Sequence, residues 1–301
     1  MIVAPGSCAS RIVDIHGDAG REWLARLPET LSACADRWSL EVLPPFEDLS
    51  YNYVTPAVTA DGKHVVIKAG VPSQELAREI EALRVFDGCG IAQFVDADVG
   101  LGVMILERLQ PGEPLADIDD DEALTPAAVQ VMRQLWTPAP TDHNNATVSN
   151  WAGDLHDLRA LFGADCGPFP RDLVDTAQGL FAELLDPAGE GTLIHGDPHP
   201  QNILSARRRP WLAIDPKGVV GDPLYDVATF ACSLPRLPGA PEARRALARR
   251  VDQLAEELEL DRQLIARWGL AQSVLSGWWM YEDHGGGWEG TFARARLFGS
   301  L

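Results

Sequence analysis

Apolar side chains at Trp23, Leu24, Leu27, Leu31, Cys34 and Trp38 recur every three or four residues, which predicts an amphipathic helix near the start of the chain. Pro28 falls inside that run, so either the helix begins there or two short helices meet there. Over residues 42–58 the pattern turns strand-like, broken by Pro44-Pro45 and by the polar stretch Asp48-Leu49-Ser50-Tyr51-Asn52. Asp61-Gly62 predicts a tight hairpin turn before a strand at His64–Ala69. Ser73 suits the cap of a helix whose apolar face is Leu76, Ile80, Leu83 and Val85-Phe86, with Gly88 and Gly90 ending it. Strands around 91–95 and 103–107 complete a small antiparallel sheet carrying one helix between its strands.

After Gln110-Pro111-Gly112 the pattern becomes helical, with stretches expected near 122–136, 149–162, 171–185, 223–232, 241–260 and 261–283. Leu247, Val251, Leu254 and Leu258 show the spacing most clearly. Strand-like runs at 192–195, 203–204 and 211–214 interrupt the helices. The expected fold class is α+β and bilobal: a sheet-rich amino-terminal lobe over 1–109 and a larger helical lobe over 110–301, with a ligand cleft between them.

Composition narrows the function. Acidic residues number 44 against 25 basic, a net charge of −19, which argues against a nucleic-acid partner. The same charge attracts a cationic small molecule from a distance, although acidic enzymes are common. The five cysteines are scattered without a CxxC pair, a usage that suits a reducing cytoplasm better than a disulfide framework or zinc site. Residues 1–20 lack a basic start followed by an apolar run, and the longest uncharged stretch, 268–281, is too short to span a bilayer. A cytoplasmic protein without a membrane partner is expected, and that uncharged stretch reads as a buried helix.

The chemistry is concentrated in His195-Gly196-Asp197-Pro198-His199-Pro200-Gln201-Asn202, followed by Ala213-Ile214-Asp215-Pro216. Set between short apolar strands, these polar side chains project from a loop. Phosphoryl transfer needs a carboxylate to orient the attacking hydroxyl and accept its proton, and oxygen ligands for the magnesium that bridges the nucleotide phosphates. Asp197 suits the first task, and Asn202 and Asp215 the second. An H-x-D motif, four further residues, Asn and a downstream Asp together match the pattern of a kinase catalytic loop with its metal-binding aspartate. A competing reading takes His195, Asp197 and His199, with Asp215, as a zinc or iron site of a hydrolase; it leaves Asn202 and Lys68 without a role.

These motifs, with Lys217-Gly218 and Gly221-Asp222-Pro223-Leu224-Tyr225-Asp226-Val227-Ala228, resemble the aminoglycoside phosphotransferases. The Ile-Asp-Pro-Lys-Gly form is similar to the streptomycin 6-phosphotransferase and hydroxyurea phosphotransferase branch, and the similarity runs over roughly residues 20–285. The resemblance implies a protein-kinase-like fold, ATP and Mg²⁺ as cofactors, and transfer to a hydroxyl of a small, cationic acceptor such as a streptomycin-type aminoglycoside. An amino sugar or hydroxyurea is the alternative acceptor. It also implies a strand lysine for the nucleotide phosphates, which is Lys68 at the end of Val65-Val66-Ile67-Lys68, fixed by Glu79 on the next helix, with Glu75 and Glu81 as competitors. A glycine-rich phosphate loop is missing. Ser50 stands in its place, and base recognition falls to main-chain groups near Glu107, Arg108 and Leu109.

Around this centre, His195 and Asp226 are expected to support the loop. Asp154, Glu282 and Asp283 are candidates for acceptor binding, whereas Trp278 and Trp279 read as core residues of a buried helix. The acidic run Asp119-Asp120-Asp121-Glu122 reads as a solvated helix start.

Overall fold

The computed structural model describes residues 5–47, 49–185, 191–234 and 240–301; Asp48 of the polar stretch lies outside them. The chain divides into two compact units, one ending at Gly112 and the other beginning at Glu113.

The smaller unit opens with α1 (Gly6–Trp38), which begins well before the periodic run in the sequence. Its single non-helical residue is Gly17, at φ 55° and ψ −127°, a conformation open to a residue without Cβ; Pro28 lies within the helix. Five strands follow: β1 (Leu40–Val42), β2 (Tyr53–Thr59), β3 (His64–Ala69), β4 (Phe94–Asp98) and β5 (Val103–Glu107). They form one antiparallel sheet in the order β1-β2-β3-β5-β4. The strand expected at 91–95 thus runs three residues later.

Cys8, Ile12, Trp23, Leu27, Leu31 and Cys34 of α1 join Tyr53, Ala57, Val65, Ile67, Ala69, Val103 and Ile105 of the sheet in one apolar core. Arg37 pairs with Asp98, and Trp38 Nε1–H donates to Asp96 Oδ2 at 2.7 Å, tying the end of α1 to β4. Between β3 and β4 lies α2 (Gln74–Phe86), capped by Ser73, whose Oγ accepts the Leu76 N–H.

A short strand, β6 (Pro111–Pro114), preceded by a cis Gln110–Pro111 bond, leads into the larger unit. Its helices are α3 (Asp121–Leu135), α4 (Val148–Phe162), α5 (Arg171–Leu184), α6 (Leu224–Cys232), α7 (Ala240–Leu258), α8 (Arg262–His284) and α9 (Glu289–Phe298). Short strands β7 (Thr137–Pro138), β8 (Ala146–Thr147), β9 (Thr192–Ile194), β10 (Ile203–Ala206), β11 (Trp211–Ala213) and β12 (Val219–Val220) make two small sheets, of which β10 and β11 form a hairpin. The two-residue strands and α9 carry too little periodicity to stand out in the sequence.

At the centre of this unit is α8, packed against α4, α5, α6, α7 and α9. A Cβ at Gly269 would lie 2.3 Å from Phe298, and one at Gly277 would lie 2.4 Å from Thr291, so these two glycines let α9 approach closely. Trp268 and Trp278 are buried, as expected of a core helix, but Trp279 is half-buried and faces a polar partner. The acidic helix start also differs from its solvated reading. Asp120 caps α3, but Asp121 pairs with Arg250, a fully buried guanidinium on α7 that also donates to Ser233 O at 2.7 Å. Among the described residues, no helix is long and apolar enough to cross a membrane.

Candidate active site

In the small unit the strand period decides where Lys68 points. Val65, Ile67 and Ala69 enter the core beneath α1, so Lys68 faces the other side of the sheet. There its Nζ donates to Glu79 Oε1 of α2 at 2.6 Å. Lys68 is 3 % and Glu79 7 % exposed, so both charges are removed from water together. Single burial of either charge would be costly, and the pair offsets this by contact at hydrogen-bonding distance.

The other expected nucleotide contacts lie at the margins of the same sheet. Ser50 is exposed, three residues before β2. Glu107 is engaged locally: its N–H donates to Gln93 O at 2.8 Å, and its Oε2 accepts the Gln93 N–H at 3.0 Å. The Arg108 N–H donates to His64 O. For Leu109, no acceptor of its main-chain N–H lies among the described residues.

In the large unit, β9 delivers His195 and Gly196 into a loop organised by backbone hydrogen bonds. Asp226, fully buried on α6, accepts the His195 N–H on Oδ2 at 3.0 Å and the Gly196 N–H on Oδ1 at 2.7 Å. Trp136 Nε1–H adds a third bond to Oδ2 at 3.2 Å. Burial outweighs these donors and pushes the Asp226 carboxyl up to about 6.

His195 Nε2–H donates to Ile214 O at 2.8 Å, while its Nδ1 accepts the Asp197 N–H at 3.2 Å. Those two bonds define the neutral tautomer, and burial depresses its pKa to about 4. With both ring nitrogens occupied, His195 is not a metal ligand, and the hydrolase reading loses its first member. Gly196 sits at φ 85°, and a Cβ there would lie 2.8 Å from Trp151 Cη2 and 2.9 Å from Val219 Cγ1. Glycine is required on both counts.

Asp197 therefore follows two residues whose backbones are fixed. Its carboxylate is about one-third exposed, and its Oδ2 lies 3.5 Å from His199 Nε2. Asn202 is tied to the same loop through its Nδ2–H, which donates to Asp197 O at 3.1 Å and leaves the amide oxygen as the group it can offer a ligand.

The β10–β11 hairpin then brings Asp215 beside Asn202. Ile203 pairs with Ala213, and the Ile214 N–H donates to Asn202 O at 2.9 Å, so the two residues flank the open end of one hairpin. Asp215 adopts φ 58°, a left-handed conformation that aspartate tolerates better than most residues. An amide oxygen and a carboxylate are hard donors that fit magnesium alongside phosphate oxygens. Among the described residues, no group of three or more His, Cys, Asp or Glu side chains is arranged to hold a metal by itself.

Of the acceptor candidates, Asp154 is half-buried and its Oδ2 accepts the Trp279 Nε1–H at 2.8 Å. Glu282 and Asp283 are exposed at the end of α8. Partial burial, followed by the neighbouring Asp154, Asp157 and Asp283 charges, raises the Glu282 carboxyl above its ordinary value. Trp136 and Trp151, which pack around the loop, carry no signal in the sequence because their partners lie far along the chain.

The sequence model of a family described as aminoglycoside/hydroxyurea antibiotic resistance kinase matches residues 41–285. A streptomycin 6-kinase of Streptomyces griseus is 34% identical over 285 residues, covering 94% of this chain and 92% of that one. A hydroxyurea phosphotransferase of Kitasatospora aureofaciens is 33% identical over 274 residues, covering 89% and 77%. Among solved structures, the choline kinase LicA from Streptococcus pneumoniae superposes with a TM-score of 0.64 at 14% identity, over 92% of this chain and all of that one. A macrolide 2'-phosphotransferase, MphH from Brachybacterium faecium, gives 0.56 at 17% identity, covering 91% and 99%. At these identities the structural likeness concerns the protein-kinase-like fold alone.

Proposed function

Because the chain belongs to the aminoglycoside/hydroxyurea antibiotic resistance kinases, we propose that it transfers the γ-phosphoryl group of ATP to a hydroxyl of a streptomycin-type aminoglycoside, an antibiotic-inactivating reaction in the cytoplasm. The observation that carries the chemistry is the catalytic loop. Its backbone is fixed by Asp226 and His195, so that Asp197 presents a partly exposed carboxylate beside Asn202 and, across the hairpin, Asp215.

In this reading Asp197 orients the acceptor hydroxyl and takes its proton. Asn202 and Asp215 would hold Mg²⁺, which neutralises phosphate charge when bound. Lys68, fixed by Glu79, counters charge on the nucleotide phosphates, with Ser50 and Leu109 contributing phosphate and base contacts. The amino-terminal unit is the nucleotide-phosphate unit, and the helical unit carries the catalytic loop and the acceptor contacts Asp154, Glu282 and Asp283. Catalysis is then positioning and electrostatic stabilisation, without a phosphoenzyme.

Hydroxyurea is the second candidate acceptor, favoured by the near-equal identity to the hydroxyurea phosphotransferase. The test is to incubate the protein with Mg-ATP and streptomycin, other aminoglycosides, amino sugars and hydroxyurea separately, and to record acceptor mass. A gain of about 80 Da, one phosphoryl group, on streptomycin supports the first reading. A gain on hydroxyurea alone replaces the acceptor, and no gain on any overturns the kinase assignment.

A further inference from the structure

On the face of the small unit's sheet that α1 covers, opposite Lys68, a cavity of about 220 Å³ opens beside the core. Glu22, Trp23 and Arg26 of α1 form one wall. Val71 and Pro72, which follow β3, and Leu101, in the turn between β4 and β5, form the other. That second wall is held together by its backbone. The Gly70 N–H donates to Gly102 O at 2.9 Å, and a Cβ at Gly102, with φ 69°, would lie 2.2 Å from Gly70 O. The two connections thus meet at a distance that only glycine allows.

The walls differ in chemistry. Val71 and Leu101 are half-buried and pack on the core that Trp23 joins. Glu22 and Arg26 are exposed and stand one helical turn apart with the glutamate first, the order in which such pairs attract best. Among the described residues neither has an ion-pair partner, not even the other. Trp23 is 8 % exposed, and its indole N–H has no acceptor among the described residues. A buried donor left without an acceptor is costly, and here it belongs to a side chain that lines a cavity.

We infer that this cavity is a binding site for a free apolar α-amino acid. The ligand's carboxylate lies between the Arg26 guanidinium and the Trp23 N–H, its ammonium meets Glu22, and its side chain covers Val71, Pro72 and Leu101. An α-amino acid carries both charges on one carbon, which suits two side chains whose Cβ atoms are about 6 Å apart on one helix face. An aliphatic acid or amine supplies only one of the two charges. A chain of net charge −19 also repels a simple anion, whereas a zwitterion is neutral as a whole. The site uses no residue of the proposed nucleotide or catalytic machinery, so it stands or falls apart from the kinase reading.

Calorimetric titration of the full chain with L-leucine, in the absence of nucleotide, tests this. The wild type binds leucine, and Glu22→Gln and Arg26→Gln each weaken binding by up to about fivefold, as expected for exposed charges. Both are surface changes that leave the core intact. Trp23→Phe keeps an aromatic ring but removes the N–H, and weakens binding about tenfold or more. No binding by the wild type, or equal binding by the Glu22 and Arg26 variants, overturns the site.

Two fragments of leucine assign its ends. Isocaproate, which lacks the ammonium, binds more weakly than leucine and responds to Arg26→Gln but not to Glu22→Gln. Isopentylamine, which lacks the carboxylate, responds in the opposite sense. Either fragment binding as tightly as leucine overturns the zwitterion. Mass gain on an acceptor is read separately, so a failed titration and a failed phosphoryl transfer are told apart.

Discussion

Each unit buries a carboxylate next to its proposed working group, and the two do so by different means. Glu79 is buried with a partner of opposite charge, Lys68, at 2.6 Å. Asp226 is buried among neutral donors, accepting N–H bonds from His195, Gly196 and Trp136. The first arrangement fixes one flexible side chain at its tip. The second fixes backbone, and so sets the direction of everything that follows along the loop. In the proposed roles, a lysine reaching a phosphate needs only its ammonium steadied, whereas Asp197 and Asn202 need their whole loop steadied. The difference also leaves a trace in protonation. Asp226, with no cation among the described residues that favours its charged form, is raised to about 6, and the adjacent His195 is lowered to about 4.

The largest expected effect separates the working group from its supports. Asp197→Asn lowers kcat by about 10²–10⁴, the range for loss of a positioned base, with nucleotide affinity unchanged. Steady-state kinetics beside a nucleotide-binding titration measure both. Turnover near the wild-type value would remove Asp197 from the chemistry.

Next, breaking the buried pair should affect stability as well as function. Glu79→Ala strands the Lys68 ammonium and destabilises the small unit by about 3–5 kcal/mol. Lys68→Met, which removes the charge but keeps the stem, is milder in stability yet still loses phosphate contact. Urea unfolding of both variants, compared with the wild type, ranks them. If the two were equally destabilised, the pairing would not be what organises this site.

The protonation contrast gives a third test. Native Asp226, raised to about 6, retains a proton in the window above 3.8 where the unfolded chain has released it, so its contribution is stabilising at low pH and disappears as pH rises through 6. Native His195, lowered to about 4, is neutral where the unfolded chain titrates near 6.5, so its contribution is present above 6.5 and is lost as pH falls through 4. Each amounts to about 3 kcal/mol, and between pH 4 and 6 they oppose one another. The wild type should show little net slope there from this pair. Asp226→Asn leaves the histidine alone, and its stability should climb by about 3 kcal/mol from pH 4 to 6.5 relative to the wild-type profile. Parallel profiles in pH-dependent urea melts would contradict the assignment of both groups.

The smallest effects are local. Ser73→Ala uncaps α2, which carries Glu79, and Thr147→Ala opens the capping box of α4, which carries Trp151 and Asp154; each costs about 1 kcal/mol. Thermal melts read that cost. The first change should raise the KM for ATP more than that for acceptor, and the second the reverse.

What the sequence disclosed follows from how local each signal is. Strand β3 and helix α2 were legible because an Asp-Gly turn, a serine cap and runs of apolar residues all act within a few positions. The proposed catalytic loop stands out in the sequence as a string because its members are contiguous from His195 to Asn202. The support around it was not, since Trp136 reaches Asp226 across 90 residues and Trp151 reaches Gly196 through space. The break in α1 at Gly17 was hidden by the stronger signal of Pro28, which the helix accommodates. Trp279 and Asp121 looked like members of a core and of a solvated face. Their partners, Asp154 and Arg250, lie more than a hundred residues away in the chain.

The placement of α8 has a consequence for how the polypeptide is born. The described residues of the apolar core that α1 shares with the sheet lie between Cys8 and Ile105, so that core has its apolar partners early in translation. The larger one cannot close around its middle until positions 262–284 have emerged, because α4, α5, α6 and α7 all pack on a helix made after them. On the ribosome the first unit can fold while the second still waits, with the loop from His195 to Asn202 synthesised well before the element that completes its surroundings.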